Sequence, residues 1–198
     1  MDSKPLKVLM TIVGVLAGIY VARHAVDWFR GEPAVPAEVL TKQWVVQSLG
    51  GGELRLEAPW PLNPTPVELP STISKNVESS SSLSIEKDGL YILAARLKMI
   101  AGLPLSLAGA ADGTTANLRN VAGTVSVDSS KKATTVSGTP AYDVSATIHR
   151  QRGDPMTLRG LIVIRGQTMY QVLVIYRADQ ARGEEAWKKM RNSLELRF

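Results

Sequence analysis

The chain has no cysteine and only two histidines, His24 and His149. Disulfides, thiolate nucleophiles and cysteine-based zinc sites are therefore excluded. No Walker loop, dinucleotide fingerprint or G-x-S-x-G elbow occurs, and no set of Asp, Glu and His has metal-ligand spacing. A Ser-His-Asp arrangement in the globular part would have to use His149. We accordingly assign no catalytic, cofactor-binding or metal-ligating residue, and we expect no cofactor and no enzymatic activity. Charge of one sign is scarce as well: the net charge is +5. Lys4, Lys7, Arg23 and Arg30 against Asp2 and Asp27 put +2 of this in the first thirty residues, leaving +3 for the remainder. Such a mild, dispersed excess is not a nucleic-acid footprint, and no nucleic-acid partner is expected.

Uncharged apolar runs of membrane-segment length are also rare. The one that stands out, "VLMTIVGVLAGIYVA", runs from Val8 to Ala22. As a helix it would rise about 22 Å, against about 30 Å of bilayer hydrocarbon. Lys7 and Arg23 extend its reach by snorkelling their charges outward. A signal peptidase site needs a pair of small residues after the run, and none is there: Tyr20 precedes Ala22, and Arg23 precedes Ala25, at the critical spacing. Trp28 and Phe29 suit an interfacial anchor. Residues 1–30 therefore read as an uncleaved signal anchor, a single-pass inner-membrane helix with the bilayer as its partner. A short basic amino terminus ordinarily stays in the cytoplasm, which puts the C-terminal domain on the periplasmic side. Gly14, Gly18 and Ala22 form a small-residue stripe on one helix face, a route to homo-oligomers through the membrane helix.

Residues 31–40 contain Pro33 and Pro36 and read as a linker, with the domain proper at 41–198. "ELRLE" (Glu53–Glu57) alternates and predicts a short strand with Leu54 and Leu56 inward. The proline-rich stretch from Pro59 to Pro70 reads as an ordered surface loop over Trp60, and "ESSSSLS" (Glu78–Ser84) as a polar strand edge or loop. Asp88-Gly89 between apolar runs predicts a hairpin. Its second strand carries Tyr91, Leu93, Ala95, Leu97 and Met99 on one face, and the opposite face drifts from Leu90 and Ile92 to Arg96 and Lys98, which predicts a sheet packed on one side and partly wet on the other. Leu107, Ala111, Thr114, Leu118 and Val121 recur at helical spacing and predict a middle helix. "GTVSV" then predicts a strand leading to a polar turn at "DSSKKA". Further on, Tyr142, Val144, Ala146 and Ile148 share a strand face. The runs on either side of Arg165-Gly166-Gln167 are apolar on both faces and predict the central strands. At the C-terminus, Ala186, Trp187, Met190 and Leu194 stripe an amphipathic helix, with Asp179 as candidate cap and Glu184/Lys188 and Glu185/Lys189 as ion pairs. "LELRF" closes as a short edge strand.

The stretch from "VSGTPAYDVSATIHRQ" to "WKKMRNSLELRF" resembles the second half of the PsbP-like domains, a family that includes an extrinsic photosystem II subunit and small bacterial envelope proteins. The matching features are Gly138 before the alternating strand at Ala141-Tyr142, a long hairpin, Tyr170 after its turn, and a last helix ending near Asn192-Ser193-Leu194. The proline-rich first half departs from that pattern. The resemblance implies an α+β fold, an antiparallel sheet flanked by a middle helix and a C-terminal helix. It also implies a binding or assembly role.

A polar strip formed by Asp143 and Asp154 flanking the strand of His149, with Arg150 and Arg152 beside it, is the candidate binding surface, together with Tyr170. Charge of this kind also guards a sheet edge. The expectation is a membrane-anchored, non-enzymatic module acting on a membrane or envelope protein partner. The alternative is a cleaved, exported ligand-binding or hydrolytic domain with a cleft near the central strands.

Overall fold

The computed structural model describes residues 34–67, 69 and 71–197. The membrane segment expected at residues 1–30, with Gly14, Gly18 and Ala22, lies outside them. Among the described residues no helix is long and apolar enough to cross a membrane. In chain order the elements are helix α1 (Glu38–Thr41), strands β1 (Val45–Leu49), β2 (Leu54–Ala58) and β3 (Asn63–Pro64), and helix α2 (Ser71–Ser74). Strands β4 (Val77–Lys87) and β5 (Leu90–Met99) follow, then helix α3 (Leu107–Ala116), continued by a 3-10 turn over Asn117–Asn120. Strands β6 (Thr124–Val136), β7 (Thr139–Arg150), β8 (Met156–Arg165) and β9 (Thr168–Arg177), helix α4 (Ala181–Ser193) and strand β10 (Glu195–Leu196) complete the chain.

Seven strands form one antiparallel sheet in the order β3-β4-β5-β9-β8-β7-β6, and β1-β2-β10 form a second, smaller sheet. The apolar runs of β8 and β9 place them at the centre, because only strands covered on both faces gain from being apolar on both. On one face Ile92, Leu161, Val172 and Val174 pack under Ala186, Trp187 and Met190 of α4 and under Leu54 and Leu56 of the small sheet. On the other, Tyr91, Leu93, Leu158, Ile162 and Leu173 pack under Ala110 and Ala111 of α3 and Leu118 of the 3-10 turn. The domain is thus α+β, with the sheet between the two helical layers. "LELRF" does supply an edge strand, β10, which pairs with β2.

The face of β5 opposite Tyr91 grades from Leu90 and Ile92, buried beneath the small-sheet layer, through Arg96, held by Glu53, to Lys98, which is partly exposed and pairs with Glu78. Three expectations need correction. "DSSKKA" is not a turn. It is the middle of β6, which runs thirteen residues, and the chain reverses at Ser137-Gly138, both at positive φ (47° and 76°). Asp179 does not cap α4; Gln180 holds the cap position and Asp179 accepts from the Arg177 guanidinium. Lys189 does not serve Glu185 but donates to the Leu40 carbonyl and lies over the Trp44 ring. In the stretch read as linker, Val35 and Val39 are buried in the core.

Candidate functional site

Part-buried ionisable groups gather in the seam between the large sheet and the layer of α4 and the small sheet, while the fully buried bond from Gln171 Nε2 to Thr114 Oγ1 lies on the α3 side. Two clusters of the same composition lie in the seam, each an arginine and a tyrosine from the large sheet meeting a glutamate from outside it. In the first, Arg96 of β5 stands directly across the ladder from Tyr170 of β9. Glu53, in the loop before β2, accepts from Arg96 Nε at 2.6 Å and from the Tyr170 hydroxyl at 2.7 Å. Arg96 Nη1 also donates to Ser79 Oγ at 3.1 Å. In the second, Glu184 of α4 accepts from Arg159 Nε of β8 at 2.7 Å and from the Tyr176 hydroxyl of β9 at 2.5 Å. Arg159 Nη1 donates to Ser145 Oγ across the ladder at 2.6 Å.

The electrostatics follow from this pairing. The hydrogen bond from Arg96 holds the Glu53 carboxyl below its ordinary range, with a second bond from Tyr170 acting the same way against the opposing effect of burial. Burial acts against ionisation of Glu184, but the bonds from Tyr176 and Arg159 outweigh it and its pKa is lowered too. Burial, reinforced by the Glu53 carboxylate, pushes the Tyr170 phenol up to about 12. Tyr176 is raised for the same reasons. Near neutral pH each cluster therefore holds one carboxylate, one guanidinium and one neutral phenol. None is tuned toward proton transfer at neutral pH, since a useful general base or acid titrates near the working pH. What the arrangement does is fasten the outer layer to the sheet, at Glu53 for the small sheet and at Glu184 for α4.

The residues singled out from sequence do not form one surface. Tyr170 belongs to the first cluster, inside the seam. Asp143 accepts from Arg191 Nε of α4 at 2.8 Å, a further fastening of that helix. His149 lies six residues along β7, roughly 20 Å away at strand rise. Its Nε2 meets Asp128 Oδ2 of β6 at 2.9 Å in an exposed pair. Arg150 lies at the end of β7 and Arg152 in the exposed loop before β8; burial lowers the Arg150 pKa while Asp154 opposes it. Among the described residues no hydroxyl bonds to the His149 ring, and no three His, Asp and Glu side chains gather as metal ligands. Sequence reasoning did not single out Glu53, Arg159 or Tyr176 as site residues, and read Glu184 as the ion-pair partner of Lys188, which does lie 4.0 Å from it. Glu53 follows three glycines and Arg159 interrupts an apolar run, and neither local pattern shows which layer lies opposite. A second signal was available in the two tyrosines six apart on β9, which place both hydroxyls on one face.

The class of fold is thus an antiparallel sheet sandwiched between a middle helix on one side and a C-terminal helix with a small sheet on the other. No family model matches the chain, and no curated protein matches it. Among solved structures, cyanobacterial PsbP from Synechocystis aligns with 78% of this chain and 92% of its own at a TM-score of 0.55 and 7% identity. The chain has the PsbP-like fold. A Pseudomonas aeruginosa protein of unknown function, PA94, covers 79% of this chain and 99% of its own (TM-score 0.46, 14% identity). LpqN, involved in cell envelope biogenesis of Mycobacterium tuberculosis, covers 84% and 99% (TM-score 0.45, 15% identity).

Proposed function

We propose that this chain is a non-enzymatic accessory domain that binds or helps assemble an envelope protein complex while tethered by its N-terminal apolar segment. The observation that carries the non-enzymatic reading is the commitment of the part-buried ionisable groups of the seam: Glu53, Arg96 and Tyr170, and Glu184, Arg159 and Tyr176, are mutually paired and join layers. The apolar stretch Val8–Ala22, the flanking Trp28-Phe29 and the absence of a small-residue cleavage pair support the tether. A tether raises the local concentration of the domain at the membrane, so that weak contacts suffice.

The test is an intact mass of the protein from its native membrane fraction, joined to an allelic replacement. Retention of residues 1–22 in a fraction that resists carbonate extraction supports the tether. A mature chain starting near Ala25 overturns it. His149→Ala removes the one imidazole of the domain without touching either cluster. It is expected to leave the phenotype of the intact gene unchanged, and a null phenotype with a folded protein would overturn the non-enzymatic reading.

A further inference from the structure

The two edges of the large sheet are treated differently. On the β4 side, β3 pairs with Leu83 and Ser84, and the Thr65 amide donates to the Ser82 carbonyl, so the edge is partly covered. On the β6 side a thirteen-residue strand pairs with β7 through twelve positions. From Asp128 to Ala133 every residue is exposed, and among the described residues no backbone bond reaches that stretch from outside the β6–β7 ladder. Long open edges are ordinarily blunted with lysine, proline or bulges. Here the one irregularity lies at the start, between Thr124 and Ser126, and the stretch beyond has no proline. Two lysines are present, Lys131 and Lys132, but Lys131 is drawn back over its own molecule by Asp112 of α3 (2.5 Å) and the Tyr142 ring.

We propose that β6 pairs antiparallel with β6 of a second copy, about a two-fold axis at Ser130. Residues directly opposite in an antiparallel pair share a sheet face, so their numbers must sum to an even value. With the axis at Ser130, Asp128 faces Lys132 of the second copy twice over, Val127 faces Ala133, and Ser126 faces Thr134. Moving the axis to Asp128, Lys131 or Lys132 sets like charges directly opposite, and moving it to Ser129 leaves Asp128 against Ser130 and Lys131 against Val127. Opposite charges directly across a ladder stabilise and like charges destabilise, so the edge is self-complementary in the one register. The strand's own sequence names the occupant: Asp128, already beside the exposed His149 ring, and Lys132, already across the ladder from Asp143, each gain a further opposite charge from a second copy, which also presents the missing strand. The two large sheets then form one continuous sheet, and α4 of both copies lies on the same face. This inference does not depend on the membrane tether.

The experiment uses the full chain in detergent with Gly14→Leu and Gly18→Leu present, so that the membrane stripe cannot supply the dimer. Light scattering is expected to give a dimer mass. Asp128→Lys alone and Lys132→Asp alone should each weaken dimerisation at least tenfold, and the Asp128→Lys/Lys132→Asp pair should restore it. The chain has no cysteine of its own, so Ser130→Cys introduces a single thiol. Opposite Cα atoms in an antiparallel pair lie about 4.5–5.5 Å apart, within disulfide reach. Ser130→Cys should therefore oxidise to a covalent dimer, whereas Ser126→Cys, about 26 Å from its own copy, should not. A monomer at about 100 μM, the weak end of specific association, would overturn the proposal. So would a dimer indifferent to both charge reversals, or a covalent dimer formed by the Ser126→Cys variant and not by the Ser130→Cys variant. A second chain pairing on this edge instead would show as a hetero-complex mass and overturn it as well.

Discussion

At the residue scale, the seam is governed by close approach. Gly183 lies in the first turn of α4 over the Tyr176 ring, and a Cβ built there meets ring Cδ2 and Cγ of Tyr176 at less than contact distance. That ring is buried and its hydroxyl is held by Glu184, so it has no room to yield. Gly183→Ala improves helix propensity by about 1 kcal/mol, but overpacking a fixed aromatic costs about 1–3 kcal/mol. The expected outcome is a net loss of up to about 2 kcal/mol, seen as a lower denaturant midpoint at unchanged m-value. A stabilised variant would show that the helix can lift off the sheet freely. Tyr170→Phe removes one donor to a charged acceptor and keeps the ring. A loss of about 1–2 kcal/mol is expected, with the same readout, and Glu53→Gln in the Tyr170→Phe background should cost less than it does alone, because the two groups share one bond.

At the scale of elements, α3 shows what local chemistry decides. Its N-cap is Ser106, whose Oγ accepts from the Gly109 amide at 3.0 Å. Gly109 and Gly113 weaken the helix interior, so the cap and the packing of Ala110, Ala111 and Leu118 must hold it. Ser106→Ala is expected to lower stability by about 1 kcal/mol, with faster amide exchange confined to α3 and the 3-10 turn. Much of the element plan was legible in the sequence: the Asp88-Gly89 hairpin has both central residues at positive φ (49° and 73°), as its dipeptide predicts. The stripe of α4 and the double apolar faces of β8 and β9 were equally plain, whereas the stripe read for the middle helix ran on to Leu118 and Val121, past its end at Ala116. The second turn was misplaced because polarity was taken as turn chemistry. Asp128 to Lys132 are polar since they lie on an open edge, whereas the true reversal uses Ser137-Gly138, a weaker form of the same signal. The polar clusters were illegible for a different reason. Glu53 and Arg96, or Glu184 and Arg159, meet only through tertiary packing, and no spacing along the chain encodes which layer lands on which strand.

At the scale of the whole molecule, the paired groups set the pH range over which the layers stay joined. Glu53 and Glu184 have pKa values lowered in the folded state, so their contribution is complete above the ordinary glutamate value of 4.5 and is lost as pH falls through their lower folded values. Tyr170 behaves in the opposite sense. Its folded value is raised from 10.0 to about 12, so the protonated phenol contributes fully below pH 10 and the contribution is lost as pH climbs toward 12. Thermal unfolding midpoints should therefore be flat between about pH 5 and 9 and fall on both sides. Net positive charge adds its own acid limb through self-repulsion, and substitution separates the two. A Glu53→Gln/Glu184→Gln protein keeps an oxygen acceptor for Arg96, Arg159 and both tyrosines but cannot titrate there. It should start from a lower midpoint at pH 7 and fall less steeply than the parent below pH 4.5. Tyr170→Phe should shallow the decline between pH 10 and about 12 without affecting the acid side. Equal acid slopes in parent and double variant would mean that repulsion alone unfolds the domain and that the two clusters do not fasten its layers.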